Sequence, residues 1–441
     1  MNSTSDKAIA LCWELGCGLG HLTGLKLIAD TLLANGQRVV LIVKTVDPLL
    51  TFEDHADQVA NPQMANVQVP IVQAPTWQRP ADNSHHIDCD ELPTSDEAVD
   101  DYAALLLKVG YQDINQLRRK AKTWQALLTE HNVGLVVADH APTARIAAHL
   151  CGLPHIGIGT GFCCPPSGYP FPAFVAVQET DKPHRTNTLQ TSTQQTSSQQ
   201  TSTNERLTSH INYVLAAEGL ATVSYAQDLL CNEEDMLCTL PHMDHYQRDS
   251  DNFWGPLYGV STAENVNWTH RDKNKVLCYL KADYTNLGCL LQALAMLDAE
   301  KLIYISGKAE NSAALSALKN DPLTTISPTP INVNMALPDA DLTICHGGHN
   351  LSAQALLAAT PLALFPIHQE QAILAKKLTL QGLVAAFNDD LTPEQISEAF
   401  KQCLSDNQLA GNSQRFAAYY QGYEPQDMVE EMCEVYEEIL G

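Results

Sequence analysis

The five residues His346-Gly347-Gly348-His349-Asn350 follow a short apolar run, Leu342–Cys345, and open a helical stretch. Two glycines let a ligand come close to the backbone, and a helix start offers N–H groups and the positive end of a dipole. That combination suits an anion, above all a diphosphate. A plain glycine-rich strand-to-helix turn is the alternative reading. Two histidines without further Cys, His or Asp nearby make a poor zinc site, so no metal is expected. Further on, Glu370 and Gln371 fall at the next strand-to-helix junction. There a carboxylate and an amide can bond sugar hydroxyls, or the acid simply complements the helix dipole.

A second set of groups lies near the N-terminus. His21 follows the glycine-rich turn Glu14–Gly20, and Asp139 ends the run Val133–Asp139. An imidazole titrating near ~6.5 suits a general base at neutral pH. A carboxylate at its other N–H would orient it and stabilise the imidazolium. Three readings stay open: a structural histidine at a turn, an aspartate that only caps its turn, and His140 as the partner instead. Gly16, Gly18 and Gly20 give pieces of a dinucleotide fingerprint. No acid that could bind a ribose follows the second strand, which disfavours a nicotinamide dehydrogenase.

These groups need strand ends and helix starts to hold them. Lys7–Trp13 reads as a strand, Leu22–Asn35 as a helix ending at Gly36, and Arg38–Val43 as a strand buried on both faces. One or two helices over Asp101–His131, the strand Val133–Asp139, a helix at Ala144–Leu150 and the strand Pro154–Gly159 continue the alternation. Leu207–Tyr225 is helical. A second series runs from Lys275 through strands at Lys275–Tyr279, Lys301–Ile305, Leu342–Cys345 and Leu362–Phe365. Its helices are Gly288–Leu297, Ala313–Leu318, Leu351–Ala359, Gln369–Leu380 and Thr392–Leu404, the last capped by Thr392 with Pro393 at its first position. Such alternation implies an α/β fold of two doubly wound parallel sheets facing each other across a cleft, with ligands at the carboxyl ends of strands. Residues 77–100 read as an acidic surface loop. Residues 186–204, TNTLQTSTQQTSSQQTSTN, bury too little apolar surface to offset their ordering entropy and read as a disordered insertion. Thr160–Phe174 is aromatic and proline-rich, either a wall for a hydrophobic acceptor or a rigid crossover loop.

Composition narrows the partners. The 441 residues carry 26 Lys+Arg against 51 Asp+Glu, a net charge of −25. No basic run offers a phosphate-binding face, so neither nucleic acid nor an anionic membrane is expected as a partner. The 13 cysteines include no C-x-x-C pair, and they read as reduced, mostly buried thiols of a cytoplasmic protein. There is no signal peptide pattern and no apolar run long enough to span a membrane. Oligomeric state is open.

The stretch Asp341–Ala375, DLTICHGGHNLSAQALLAATPLALFPIHQEQAILA, resembles the donor-binding signature of family 1, UDP-sugar-dependent glycosyltransferases. The match runs through His346, Gly347, Gly348, Asn350, Pro361, Pro366, Glu370 and Gln371 in order. Gly20-His21 is similar to the family's Gly-His step, Val137-Ala138-Asp139 to the setting of its orienting aspartate, and Gly255-Pro256-Leu257 to its interdomain linker. There are departures. Gln354 stands where the family has a ribose-binding Glu, and Leu351 where a Ser or Thr touches phosphate, leaving Ser352 or backbone N–H groups to substitute. Ala359-Thr360 replaces the Gly before Pro361, and Gly24 replaces a Pro.

The resemblance implies the GT-B architecture. An acceptor-binding Rossmann-like domain would span 1–250, a nucleotide-sugar-binding one 251–426, and a helix at 427–441 would pack back on the first. It implies inverting, metal-independent transfer of a hexosyl group from a UDP-sugar to a hydroxyl or other nucleophile of a small acceptor. His21 and Asp139 would be catalytic. Gly20, His346, Gly347, Gly348, His349, Asn350, Gln354, Glu370 and Gln371 would bind the donor, with no cofactor beyond the donor substrate. A GT-B sugar-nucleotide epimerase and a non-catalytic sugar-nucleotide-binding partner protein remain as alternatives.

Overall fold

The computed structural model describes residues 7–16, 19–46, 69–77, 99–174, 191–246, 248–249, 252–259, 265–309, 312–388 and 390–441, with 191–199 as backbone only. Gly18, most of the acidic loop (78–98) and residues 186–190 lie outside these. The chain forms two compact units, one of Met1–Gly259 with Glu424–Gly441, the other of Val260–Tyr423.

The first unit runs β1 (Ala8–Trp13), α1 (Leu19–Ala34), β2 (Arg38–Val43), β3 (Ile71–Gln73), α2 (Tyr102–Leu106), α3 (Ile114–Glu130), β4 (Val133–Asp139), α4 (Pro142–Cys151), β5 (His155–Gly159), α5 (Thr191–Ala217), α6 (Gln227–Leu230) and β6 (Met236–Leu237). Its strands form one parallel sheet in the order β3-β2-β1-β4-β5-β6. All residues of β1 and β4 are buried, as their unbroken apolar runs require of a sheet covered on both faces. Alternate side chains divide between two cores. Ile9, Leu11 and Trp13 pack with α1, while Ala8, Ala10 and Cys12 pack with Trp124 of α3 and Ala144 and Ala147 of α4. Gly36, at φ 81°, ends α1.

The second unit runs β7 (Lys275–Lys281), α7 (Leu287–Ala295), β8 (Glu300–Ser306), α8 (Ala313–Asn320), β9 (Thr324–Ser327), α9 (Val333–Ala336), β10 (Leu342–Cys345), α10 (His349–Leu357), β11 (Leu362–Leu364), α11 (Gln369–Leu380), β12 (Val384–Ala386), α12 (Pro393–Ser405) and α13 (Asn407–Tyr419). Its parallel sheet has the order β12-β11-β10-β7-β8-β9. Counted from each unit's own first strand, both sheets have the order 3-2-1-4-5-6 of the doubly wound class. Strand order therefore reverses between β1 and β4 in one unit and between β7 and β10 in the other. The expected cap of α12 forms as a full capping box, with the Thr392 hydroxyl accepting from Gln395 N–H and the Gln395 amide oxygen accepting in return.

The last helix, α14 (Pro425–Leu440), belongs to the first unit. Val429, Met432, Cys433 and Tyr436, spaced along one helical face, enter the core shared with α1. The Asn35 amide donates to Glu437 at 3.0 Å and the Gln426 amide to Thr31 at 3.2 Å.

The insertion expected to be disordered falls partly outside the described residues (186–190), and its remainder, 191–204, forms the first half of α5 rather than an unstructured segment. The helix is anchored where the polar tract ends, by Leu207, Ile211, Val214 and Leu215, all fully buried. Buried Asn204 adds four hydrogen bonds: its oxygen accepts from Phe171 N–H and the Gln227 amide, and its nitrogen donates to Asp101 and Gln200.

Candidate functional site

In the first unit, the reversal of strand order places the end of β1 beside the end of β4, with Trp13 paired to Asp139. The chain leaves β1 through a turn at Gly16 and enters α1. His21 lies in the first turn of that helix, not in the loop before it, and Gly20 is the exposed residue preceding it. His21 Nδ1 lies 2.8 Å from Asp139 Oδ2. The carboxylate can only accept, so Nδ1 carries the proton and Nε2 the lone pair, the tautomer a base needs.

Several contacts fix this pair. The Trp13 indole stacks on the His21 ring, 5.2 Å between centroids and 19° between planes. The Trp13 Nε1–H donates to Leu15 O at 2.7 Å, and Leu15 N–H donates to His140 O at 3.0 Å, tying the two loops together. Gly16 has φ 84°, and a Cβ there would lie 3.1 Å from His21 Nε2. Gly159, at φ 130°, leaves room for Asp139, whose Oδ1 would sit 3.1 Å from an added Cβ. Buried Glu14 accepts from Thr143 N–H and from the Trp77 indole, both at 2.9 Å, and burial pushes its carboxyl above the usual range. His140, the alternative partner, does not bond Asp139. It is buried at φ 44°, its Nε2 has no hydrogen bond among the described residues, and burial, with His21 and Lys44 adding to it, lowers it to about 3.

In the second unit, the corresponding reversal sets β10 beside β7. The chain turns at Gly347, φ 80°, and α10 starts at His349 with Gly348 as its cap. The cap residue offers no side chain, and among the described residues a Cβ on Gly348 would meet no atom within 4 Å. Open space thus lies before the first turn of α10, whose N–H groups have no acceptor within the helix. Ser352 N–H donates to Gly348 O at 3.0 Å and closes that turn. The Ser352 side chain is fully buried, so its hydroxyl does not face this space.

His346 is held on both sides. Its Nδ1–H donates to Phe365 O at 2.8 Å, and its Nε2 accepts from Lys281 N–H at 3.0 Å. It ties together the ends of β7, β10 and β11, and burial lowers it to about 4. Its polar atoms are spent on backbone, which makes it a strut of the loop. His349 is largely buried, with Nδ1 3.4 Å from the Asn350 side-chain oxygen. The Gln354 amide donates to Asn350 O at 3.2 Å. Gln371 is buried behind Gly347 and accepts from Ile367 N–H at 2.9 Å, shaping the turn into α11, whose first turn carries half-buried Glu370. Nothing in composition or spacing signalled the stacking of Trp13 or the burial of Glu14. Their one signal is position, at the end of the first strand.

The aromatic segment Thr160–Phe174 contributes core. Phe162, Phe171 and Phe174 are buried, with Phe162 and Phe174 stacked at 4.7 Å. Cys163 and Cys164 are buried too, and burial holds the Cys164 thiol well above its ordinary value. Among the described residues no group of three or more His, Cys, Asp or Glu is arranged to hold a metal, and no helix is long and apolar enough to cross a membrane.

Residues 285–423 match the profile of the glycosyltransferase family 28 C-terminal domain. No curated protein matches the chain. Solved structures do, along nearly all its length. CalG4, the calicheamicin glycosyltransferase, is 17% identical with a TM-score of 0.63, over 99% of each chain. VinC, a glycosyltransferase solved in complex with dTDP, is 15% identical at 0.63, over 98% of this chain and 100% of that one. SnogD, a glycosyltransferase from Streptomyces nogalater, is 15% identical at 0.56, over 97% and 99%. The chain thus has the two-domain α/β fold of the GT-B glycosyltransferases, and the stretch similar to the family 28 C-terminal domain lies within its second unit.

Proposed function

We propose that this chain transfers a hexosyl group from a pyrimidine nucleoside-diphosphate sugar, taken as a UDP-sugar, to a hydroxyl or other nucleophile of a small acceptor. The reaction inverts the anomeric carbon and needs no metal. The observation that carries the reading is the His21–Asp139 pair at the strand-order reversal of the first sheet. His21 Nε2 takes the acceptor proton as the acceptor oxygen bonds to the anomeric carbon. The bond from that carbon to the diphosphate oxygen breaks, and the nucleoside diphosphate leaves with its electron pair. Asp139 stabilises the imidazolium.

Support for the donor side comes from the side-chain-free helix start at Gly348, where N–H groups and the dipole stabilise a leaving diphosphate without a cation. Gly347, Asn350, His349 and Glu370 border the donor, while Gln354 and Gln371 hold the loops that present it. His346 acts through those loops. VinC and the rhamnosyltransferase SpnG were each solved with thymidine diphosphate, which makes dTDP-sugars the first competitors to test.

Binding is tested by thermal shift across UDP, dTDP and their hexose conjugates, since a ligand of the folded state raises its melting temperature. Turnover is tested by nucleoside diphosphate release with an acceptor panel and EDTA present. His21→Ala should keep the thermal shift and lose release. If no nucleoside diphosphate raises the melting temperature, the reading fails. If a UDP-N-acetylhexosamine alone yields its epimer, the chain is an epimerase.

A further inference from the structure

We propose that Trp13 is a positioning residue for the base: its indole face holds the His21 ring in place and stabilises the imidazolium formed when Nε2 takes a proton. The inference rests on the reading of His21 as base, but the stacking does not. The rings lie 5.2 Å apart and 19° from parallel, within the range at which an indole face attracts a cation. Trp13 is 3% exposed and cannot swing aside. Its Nε1–H is tied to Leu15 O, and the side chain belongs to the core shared by β1, α1 and α14. Its neighbour on β4 is Asp139. The imidazole is thus held edge-on by a carboxylate and face-on by an indole, both fixed by adjacent strands.

The pairing matters because the base becomes a cation only during the reaction. Charge that appears there meets a preformed π face instead of water that must reorganise. Among the described residues, the ionisable groups near His21 include Asp139 at its Nδ1, His140 with ring centres 6.4 Å away, Lys44, whose ammonium donates to Gly16 O at 3.0 Å, and Glu14, whose carboxyl is turned to Thr143 and Trp77. All of these groups remain in the chain when Trp13 is replaced, and a fall in the His21 midpoint graded from Trp13→Phe to Trp13→Met reports the ring face.

The test is an NMR titration of the His21 ring, with its resonance identified by loss in His21→Gln, in wild type, Trp13→Phe and Trp13→Met. The midpoint should fall by about 0.5 pH unit in Trp13→Met and by less in Trp13→Phe. In wild type the Trp13 indole signal should move with the same midpoint as His21, a readout that remains should Trp13→Met fail to fold. In turnover, Trp13→Met should lower kcat about two- to five-fold with KM unchanged and move the acid limb of the pH–rate profile downward. Equal midpoints in the three proteins, or an indole signal indifferent to His21, would overturn the proposal while leaving His21-dependent transfer standing. A chain that shows the coupled titration but binds no nucleoside-diphosphate sugar would keep the pair and sink the functional reading.

Discussion

Asp139 Oδ2 stands 2.8 Å from His21 Nδ1, and the register that pairs Trp13 with Asp139 puts both at the one point where the first sheet reverses its strand order. The bond does two things at once: it sets the tautomer and it opposes the charge that forms. Asp139→Asn keeps the shape but not the charge, and its amide can present N–H to the ring and favour the wrong tautomer. Transfer should fall about 10²–10⁴-fold in kcat. Nucleotide-induced thermal shift should be unchanged, because the substitution lies in the other unit from residues 346–371. A variant that keeps a tenth of wild-type kcat would show that Asp139 only caps its turn.

Gly348 separates fold from function in a single substitution. Its φ of −59° suits any residue, and a Cβ there meets nothing within 4 Å among the described residues. Gly348→Ala should therefore leave the melting temperature within about a degree of wild type, as a surface change of under ~0.5 kcal/mol would. The added methyl occupies the approach to the α10 start, so the apparent Kd for UDP, read by isothermal titration calorimetry, should rise about ten-fold or more. Unchanged affinity would place the diphosphate elsewhere.

Gly16→Ala makes the opposite case. The residue would have to hold φ 84° with a methyl 3.1 Å from His21 Nε2. The left-handed conformation alone costs about 1–2 kcal/mol, and the methyl crowds the nitrogen that must receive the proton. Both the urea midpoint and kcat should drop, the latter about ten-fold or more at saturating donor. Wild-type turnover in Gly16→Ala would mean that acceptors do not reach His21 past this loop.

Central strands of both sheets could be read directly, because runs such as RVVLIV and VGLVVAD are apolar on both faces and have one use in an α/β chain. The edge strands β3, β6, β9 and β12 could not. With two to four residues each they show no period, and backbone pairing alone defines them. The polar start of α5 was illegible for a similar reason: what fixes it is Asn204, bonded to Phe171, Gln227 and Asp101 from three other segments. At the site, strand ends and glycines marked where to look. They did not tell what each ring does. His346 stands in the right place for a ligand, yet its partners, Lys281 and Phe365, lie 65 and 19 residues away along the chain, and no local pattern carries that information.

That engagement of His346 makes the chain acid-sensitive. Nε2 must stay a bare acceptor for Lys281 N–H, and burial lowers the ring to about 4. His140, at about 3, and His155, at about 4, are lowered by burial as well. A histidine held neutral in the folded chain but titrating near ~6.5 when unfolded favours unfolding as protons are added. Its contribution is complete above pH ~6.5 and is lost as pH falls toward the folded value, at about 1.4 kcal/mol per pH unit for each ring. The urea midpoint should thus be flat with respect to these groups from pH 8 to pH 7 and decline from about pH 6 to pH 4. His346→Gln, which offers an amide oxygen to Lys281 N–H and has no proton to gain, should be less stable at pH 7.5 and show a shallower decline. A slope identical to wild type would mean that His346 is already free to protonate in the folded chain, and that the loops carrying Gly347 and Gln371 are not held by its neutral ring.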